Sequence, residues 1–188
     1  MSTATTTSES ATARTTWQID ASHTLVEFAV KHMMIATVKG RFATVSGSVT
    51  TQGEDPKTAI VDVTIDAASI DTREDKRDAH LRSADFFNVE QFPTLTFKSK
   101  RVDAHADGAL RVIGDLTIKD VTREVTLDAE FAGQGKDPWG GFRVGYSATT
   151  KIKRSDFGLT WNVALEAGGV LVGDEIKISL EVELVKQG

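Results

Sequence analysis

Along most of the chain, apolar residues recur at every second position. In LVEFAVKH, Val26, Phe28, Val30 and His32 share one face, with Glu27 and Lys31 on the other. IVDVTID sets Val61, Val63 and Ile65 against Asp62, Thr64 and Asp66, and LTFKSK sets Leu95 and Phe97 against Thr96, Lys98 and Lys100. LRVIGDLTI aligns Leu110, Val112, Leu116 and Ile118; EVTLDAEF aligns Val125, Leu127 and Phe131. FRVGYSATTKIK aligns Phe142, Val144, Tyr146 and Ile152, and IKISLEVEL aligns Ile176, Ile178, Leu180, Val182 and Leu184. With the segment from Val38 to Thr50, this predicts eight strands, each with one wet face.

Turn chemistry separates most of them: QGEDPK, DAHADGA, IKDVT and GQGKDPWGG. Gaps this short favour antiparallel neighbours, because a parallel return needs a crossover of about a dozen residues. The expected fold is therefore all-β: an eight-stranded antiparallel up-and-down barrel, whose closure hides the apolar faces and removes the sheet edges. An open sandwich of two sheets is the alternative; the length of the strands favours the barrel.

Two segments break the alternation. In the first, Thr72 is positioned to cap a short helical insertion over about 72–87, REDKRDAHLRSADFF, which Pro93 then stops. The second, Ser155 to Glu175, is a long connection before the last strand, carrying two aromatics and a Gly-Gly. Long connections in a compact barrel are usually functional or cover an open mouth.

Composition removes several function classes. The 188 residues suit one domain, with 40% hydrophobic and 26% charged residues, as in water-soluble folds. The net charge of −5 offers nothing to a nucleic-acid backbone, and lysines and arginines are scattered rather than blocked. The chain has no cysteine, which excludes disulfides, thiolate metal sites and thiol catalysis. Residues 1–15, MSTATTTSESATART, have almost no large apolar side chain and read as a disordered tail ahead of a barrel domain over 16–188. The start has no secretory pattern and no run of about 18 apolar residues occurs, so cytoplasmic residence without a membrane span is the expectation.

The residues that break the alternation also carry a resemblance. WQIDASHTLVEFAVKH, VKGRF, SIDTREDKRDAHLRSADFFNVEQFP, TFKS, GDLTIKDVTREV, KRSDFGL and VGDEIKISLEVE, in this order and spacing, resemble the YceI-like family of polyisoprenoid-binding, lipocalin-like proteins. The resemblance runs from Trp17 almost to the C-terminus. It implies an eight-stranded barrel with helical insertions that binds a long isoprenoid, a prenyl phosphate or an isoprenoid quinone, or a similar amphiphile. It also implies a homodimer. Many relatives look exported, unlike the expectation for this chain.

A barrel of about eight strands holds side chains alone or one small ligand. Smaller inward residues, Ala29, Gly114, Ala129 and Ala148, are expected to leave room among larger ones. The chain-binding candidates are Phe28, Val30, Phe42, Val63, Ile65, Leu81, Phe86, Phe87, Phe97, Val112, Leu116, Leu127, Val144, Tyr146, Ile152 and Phe157. For the polar head of the ligand the candidates are His32, Arg77, His80, Arg82 and Arg154. His32 and Arg154 break apolar faces, which is costly for a charge unless it is paired. They either meet a ligand's head at the barrel mouth or, at strand ends, reach water or a carboxylate such as Asp156. The helix over Arg77, Asp78, His80 and Arg82 is either a solvated face with local ion pairs or a lid. In the second case Leu81, Phe86 and Phe87 plug the barrel.

The histidines (His23, His32, His80 and His105) form no i, i+4 pair and no HExxH, so no metal ligand set is assigned. There is no G-x-S-x-G elbow, and GQGKD is not a P-loop. The expectation is a lipid-binding barrel without chemistry of its own or a cofactor. The alternative is a small enzyme acting on a hydrophobic substrate, with His32 or His80 as general base.

Overall fold

The computed structural model describes residues 13–188. Its strands are β1 (Arg14–Ile19), β2 (Leu25–His32), β3 (Ala36–Phe42), β4 (Val45–Gln52), β5 (Asp55–Asp66), β6 (Ile70–Asp71), β7 (Thr94–Ala104), β8 (Leu110–Ile118), β9 (Val121–Lys136), β10 (Phe142–Lys153) and β11 (Val172–Lys186). Every pairing between them is antiparallel. The ring β1–β4–β5–β7–β8–β9–β10–β11 closes because β1 pairs with both β4 and β11.

β1 and β2 lie end to end along one edge of β11: Trp17 to Ile19 pair with Lys186 to Leu184, and Leu25 to Val30 with Glu181 to Ile176. β3 and β4 likewise follow one another, β3 on β2 and β4 on β1. The barrel thus has the eight strand positions that the periodicity predicts, two of them interrupted. Between β1 and β2, the Asp20 carboxylate accepts from the Ser22 amide at 3.0 Å and forms an Asx turn. Thr24 Oγ1 then accepts the Glu183 amide at 3.2 Å, so the ladder partner of the break is not orphaned.

The strand starts at Arg14, inside the expected tail. Arg14 and Thr15 pair with Gln52 and Thr51, and the Gly53 amide donates to the Ala13 carbonyl at 2.8 Å. The free edge of β4 supplies this partner, and Thr-rich sequence suits a strand. The rest of the tail, residues 1–12, lies outside the described residues.

β3 does not pair with β5, whose partners are β4 and β7, and the segment 67–93 follows β5 and borders β3 through β6. It contains a 3-10 turn (Ala67–Ser69), β6 on Arg41 and Phe42, and helix α1 (Asp75–Arg82). The helix is shorter than expected and Thr72 does not cap it. Glu74 does, its carboxylate accepting from the Lys76 and Arg77 amides at 3.2 and 2.6 Å. Thr72 is held by buried Asp78, which accepts from its amide at 2.9 Å and its hydroxyl at 2.5 Å. After Arg82 the Ser83 hydroxyl turns back to the His80 carbonyl at 2.6 Å, and Phe86 and Phe87 follow in turns.

The alternating residues of each strand point into the barrel and build its main core around Phe42, Phe97, Leu95, Leu116 and Ile118. Phe131 keeps the expected phase, paired with Tyr146, yet is exposed: β8 begins at Leu110 opposite Ala129, so beyond that pair β9 has β10 alone for a neighbour. No helix among the described residues is long and apolar enough to cross a membrane.

Candidate ligand-binding site

The interior is not filled. A cavity of about 340 Å³ runs along the barrel axis, lined almost wholly by the inward residues of its strands. Ligand pockets span about 300–1,000 Å³, so this is room for a slender molecule. Two glycines shape the wall. Gly40 and Gly114 each lie under an aromatic ring, Phe28 and Phe97, which would clash with any Cβ at those positions. Ala129 and Ala148 line the cavity as expected, whereas Ala29 does not; it alternates out of phase with Phe28 and Val30.

One end is capped. Leu81 from α1, Phe86 and Phe87 from the following turns, and Leu159 from the long connection meet Ile70 and Ile118 there. Phe87 packs edge-on against Phe42, ring centres 5.7 Å apart, and Phe42 lies 5.8 Å from Phe28. At the other end the rim comprises Trp17, Phe142, Glu54, Pro56 and Gln134. Trp17 Nε1 donates to Thr51 Oγ1 at 3.3 Å and its ring lies 6.2 Å from that of Phe142. The polar residues that line the cavity are Thr24, Glu27, Thr51, Glu54, Gln134, Tyr146, Thr150 and Arg154, of which Tyr146 and Thr150 lie on β10 and Gln134 on β9. Burial alone pushes the Tyr146 phenol above its ordinary pKa, so it is a neutral donor at physiological pH.

All the expected chain-binding residues line this cavity except Phe157. Phe157 is buried in the core, but on the 3-10 turn Arg154–Phe157, where strand alternation no longer governs direction.

The five head-group candidates do not converge. Arg154 reaches the wall, 6% exposed, but its guanidinium donates to the carbonyls of Gly173 (2.9 Å), Leu159 (2.6 Å), Trp161 (2.9 Å) and Val172 (3.2 Å). It is the clasp of the long connection, aided by Asn162, which bonds the amide and carbonyl of Val172. Arg77 donates to the Thr72 hydroxyl and carbonyl, and Arg82 to the Ala68 and Ile70 carbonyls. Both pin the 68–72 segment beneath the helix and neither lines the cavity. His80 bonds Asp85 at 2.8 Å and meets Trp161 edge-on at 4.6 Å, joining helix to long connection. His32 ends β2, paired with Ala36 and Val172 and off the cavity wall. The general bases considered for an enzyme therefore do not face the cavity.

The alternation rule missed Trp17, Ile19 and Gln134, because β1 is short and β9 runs past its apolar stretch. Trp161 could be read only as one of two aromatics in a loop. On the outer wall, Arg143 ties Asp137 (2.8 Å), Asp20 (2.6 Å) and Glu183 together, with His23 beside Asp20 at 2.9 Å. Asp20, His23 and Glu183 lie close enough to share an ion, but Arg143 already bridges the two carboxylates. His105 is exposed in the β7–β8 turn.

The fold and its interior define a lipocalin-like barrel with an apolar cavity. The YceI-like domain model matches residues 17–184, and the chain belongs to that family. It is 39% identical over 168 residues to a UPF0312 protein of Pseudomonas aeruginosa, covering 89% of this chain and 84% of the relative. Burkholderia cenocepacia BcnA has a similar structure, with TM-score 0.74 and 26% identity, covering 88% of this chain and 98% of BcnA. A polyisoprenoid binding domain from Saccharophagus degradans, implicated in plant cell wall breakdown, shares the fold at TM-score 0.65 and 14% identity, covering 91% of this chain and 98% of the domain.

Proposed function

We propose that the barrel binds and carries one isoprenoid or similar amphiphile, with its chain in the axial cavity and a neutral polar head. The observation that carries this reading is the apolar cavity running from the α1 cap to the Trp17 rim. Burial contributes about 0.8 kcal/mol per methylene, so a chain of several isoprene units reaches useful affinity without a strong polar contact. That energy is non-directional, so tolerance of chain variation is expected. The polyisoprenoid binding domain of like fold supports the same ligand class.

The state of the arginines favours a quinone-like head over a prenyl phosphate. A phosphate gains most from a free, bidentate arginine, whereas Arg77, Arg82 and Arg154 donate to protein acceptors. Tyr146 and Gln134 suit a carbonyl or hydroxyl head. The reading assigns the barrel no chemistry of its own. Mass spectrometry of an organic extract of the gently purified protein tests it. One neutral isoprenoid per chain is the expected result. A stoichiometric prenyl phosphate would reverse the head-group reading, and a protein that neither contains nor takes up lipid would oppose the whole reading.

A further inference from the structure

The β2–β3 hairpin turns through Met33 and Met34, both at positive φ, 51° and 57°. The Ile35 amide closes it on the His32 carbonyl at 3.0 Å. This is a type I′ turn, for which Asn-Gly is the favoured pair, because a left-handed conformation costs other residues energy. Here the turn carries apolar residues instead, and they face outward: Met33 is 40%, Met34 66% and Ile35 80% exposed.

A second tip stands beside it. The Met33 amide donates to the Leu171 carbonyl at 2.8 Å, and the Leu171 amide to the Val163 carbonyl at 2.9 Å. Val163 and Val170 are also exposed, flanking a turn with Glu166 and Ala167 at its apex, closed by the Gly168 amide on the Leu165 carbonyl at 2.9 Å and by the Ala164–Val170 bridge. Two loops with misplaced apolar side chains are thus held side by side. They stand at the capped end of the cavity: Val30 and Val172, next to these tips in sequence, both line it.

We propose that these tips insert into a lipid surface, placing the capped end of the barrel against the bilayer from which the ligand comes. The inference rests on the reading of the cavity as a lipid site. Five side chains expose a few hundred Å², in the range that marks interaction sites but short of the ~800 Å² per partner of a standard dimer interface. Flexible methionines on projecting turns suit a fluid hydrocarbon phase, which demands no matching shape. The tips contain no lysine or arginine, and the one charge on them is the exposed Glu166 carboxylate, which stays at the water side of the headgroups, so the attachment gains nothing from anionic lipid.

The test uses the full chain and a triple variant, Met33→Asn, Met34→Gly and Ile35→Thr, which installs the preferred turn sequence and so keeps the fold. In flotation with phosphatidylcholine vesicles, the parent protein should co-float and the variant should bind at least tenfold less, with an equal or higher thermal midpoint. Equal flotation of both, or no flotation of the parent, overturns the proposal. So does a parent dimer that the variant dissolves without any vesicle binding, which would make the patch an interface between copies. Uptake of an isoprenoid quinone from detergent micelles separates the two claims. If neither protein takes it up, the cavity reading fails while the vesicle comparison still decides the role of the tips.

Discussion

Phe28 and Gly40 face one another across the β2–β3 ladder, and the Phe28 ring occupies the space that a Cβ on residue 40 would need. Such an atom would stand 2.9 Å from Phe28 Cε1 and 2.8 Å from Thr72 Cγ2. One glycine therefore sets both the tilt of a cavity aromatic and the seat of the segment that caps the barrel. Gly40→Ala should displace the ring into the cavity, lower the stoichiometry or affinity of a bound isoprenoid, and cost about 1–3 kcal/mol by overpacking. Adding Phe28→Ala should recover part of the stability, as interacting neighbours do in a double-mutant cycle. Denaturant titration of the four proteins measures both effects; strict additivity would contradict the contact.

The barrel was legible because period-two alternation survives in nearly every strand, and Val61 to Ile65 or Ile176 to Leu184 can face only one way. The same rule placed the cavity wall. It could not place the polar residues. Arg154 keeps the phase of Tyr146 and Ile152, so it reads as an inward charge. The carbonyls that satisfy it come from residues 159–173, whose path no periodicity gives. His80 reads as part of a solvated face with local ion pairs or as a ligand contact; its bond to Asp85 is a pair of the first kind, whereas its packing on Trp161 joins a segment that no periodicity places.

Arg154→Met should act on stability before it acts on binding. It leaves four carbonyls without their donor, and unmet buried acceptors cost about 1–3 kcal/mol each before relaxation. A net loss of roughly 3–4 kcal/mol is expected, with faster proteolysis between residues 158 and 171. Affinity for a quinone and for a prenyl diphosphate should fall together. A selective loss for the diphosphate, with stability intact, would return Arg154 to the role of head-group contact.

The Arg143 network predicts a stability plateau with two edges. Bonds from Ser22, His23 and Arg143 hold the Asp20 carboxyl well below its ordinary value of 3.8. Its contribution is present above that value and lost as pH falls through the depressed one. The bond to Asp20, with the Asp20 and Glu183 charges, raises the His23 pKa above 6.5. That contribution is full below 6.5 and lost as pH rises through the raised value. Thermal midpoints should therefore decline gently as pH rises above 6.5, and His23→Gln should flatten that decline while only weakening the acid edge, which Ser22 and Arg143 also support. An unchanged slope would show that His23 does not sense Asp20 in solution.

Truncation distinguishes β1 from the segment before it. A chain beginning at Thr16 loses the pairing of Arg14 and Thr15 with Gln52 and Thr51, and the Ala13–Gly53 bond. It should melt several degrees below one beginning at Ala13, for a loss of about 1–2 kcal/mol. Equal midpoints would mean that this part of the strand adds nothing to closure.

The central claim, that the axial cavity binds a lipid and meets no free cation among the described residues, is tested most directly by titrating the delipidated protein. An isoprenoid quinone and a prenyl diphosphate of equal chain length are compared at the same salt concentration. The structure predicts saturable 1:1 binding of the quinone, at least as tight as the diphosphate, with stabilisation of about 2.7 kcal/mol at a hundredfold excess over Kd. Tyr146→Phe should weaken the quinone and leave the diphosphate unchanged. Diphosphate binding that is much tighter and falls steeply with salt, or no saturable binding of either ligand, would contradict it.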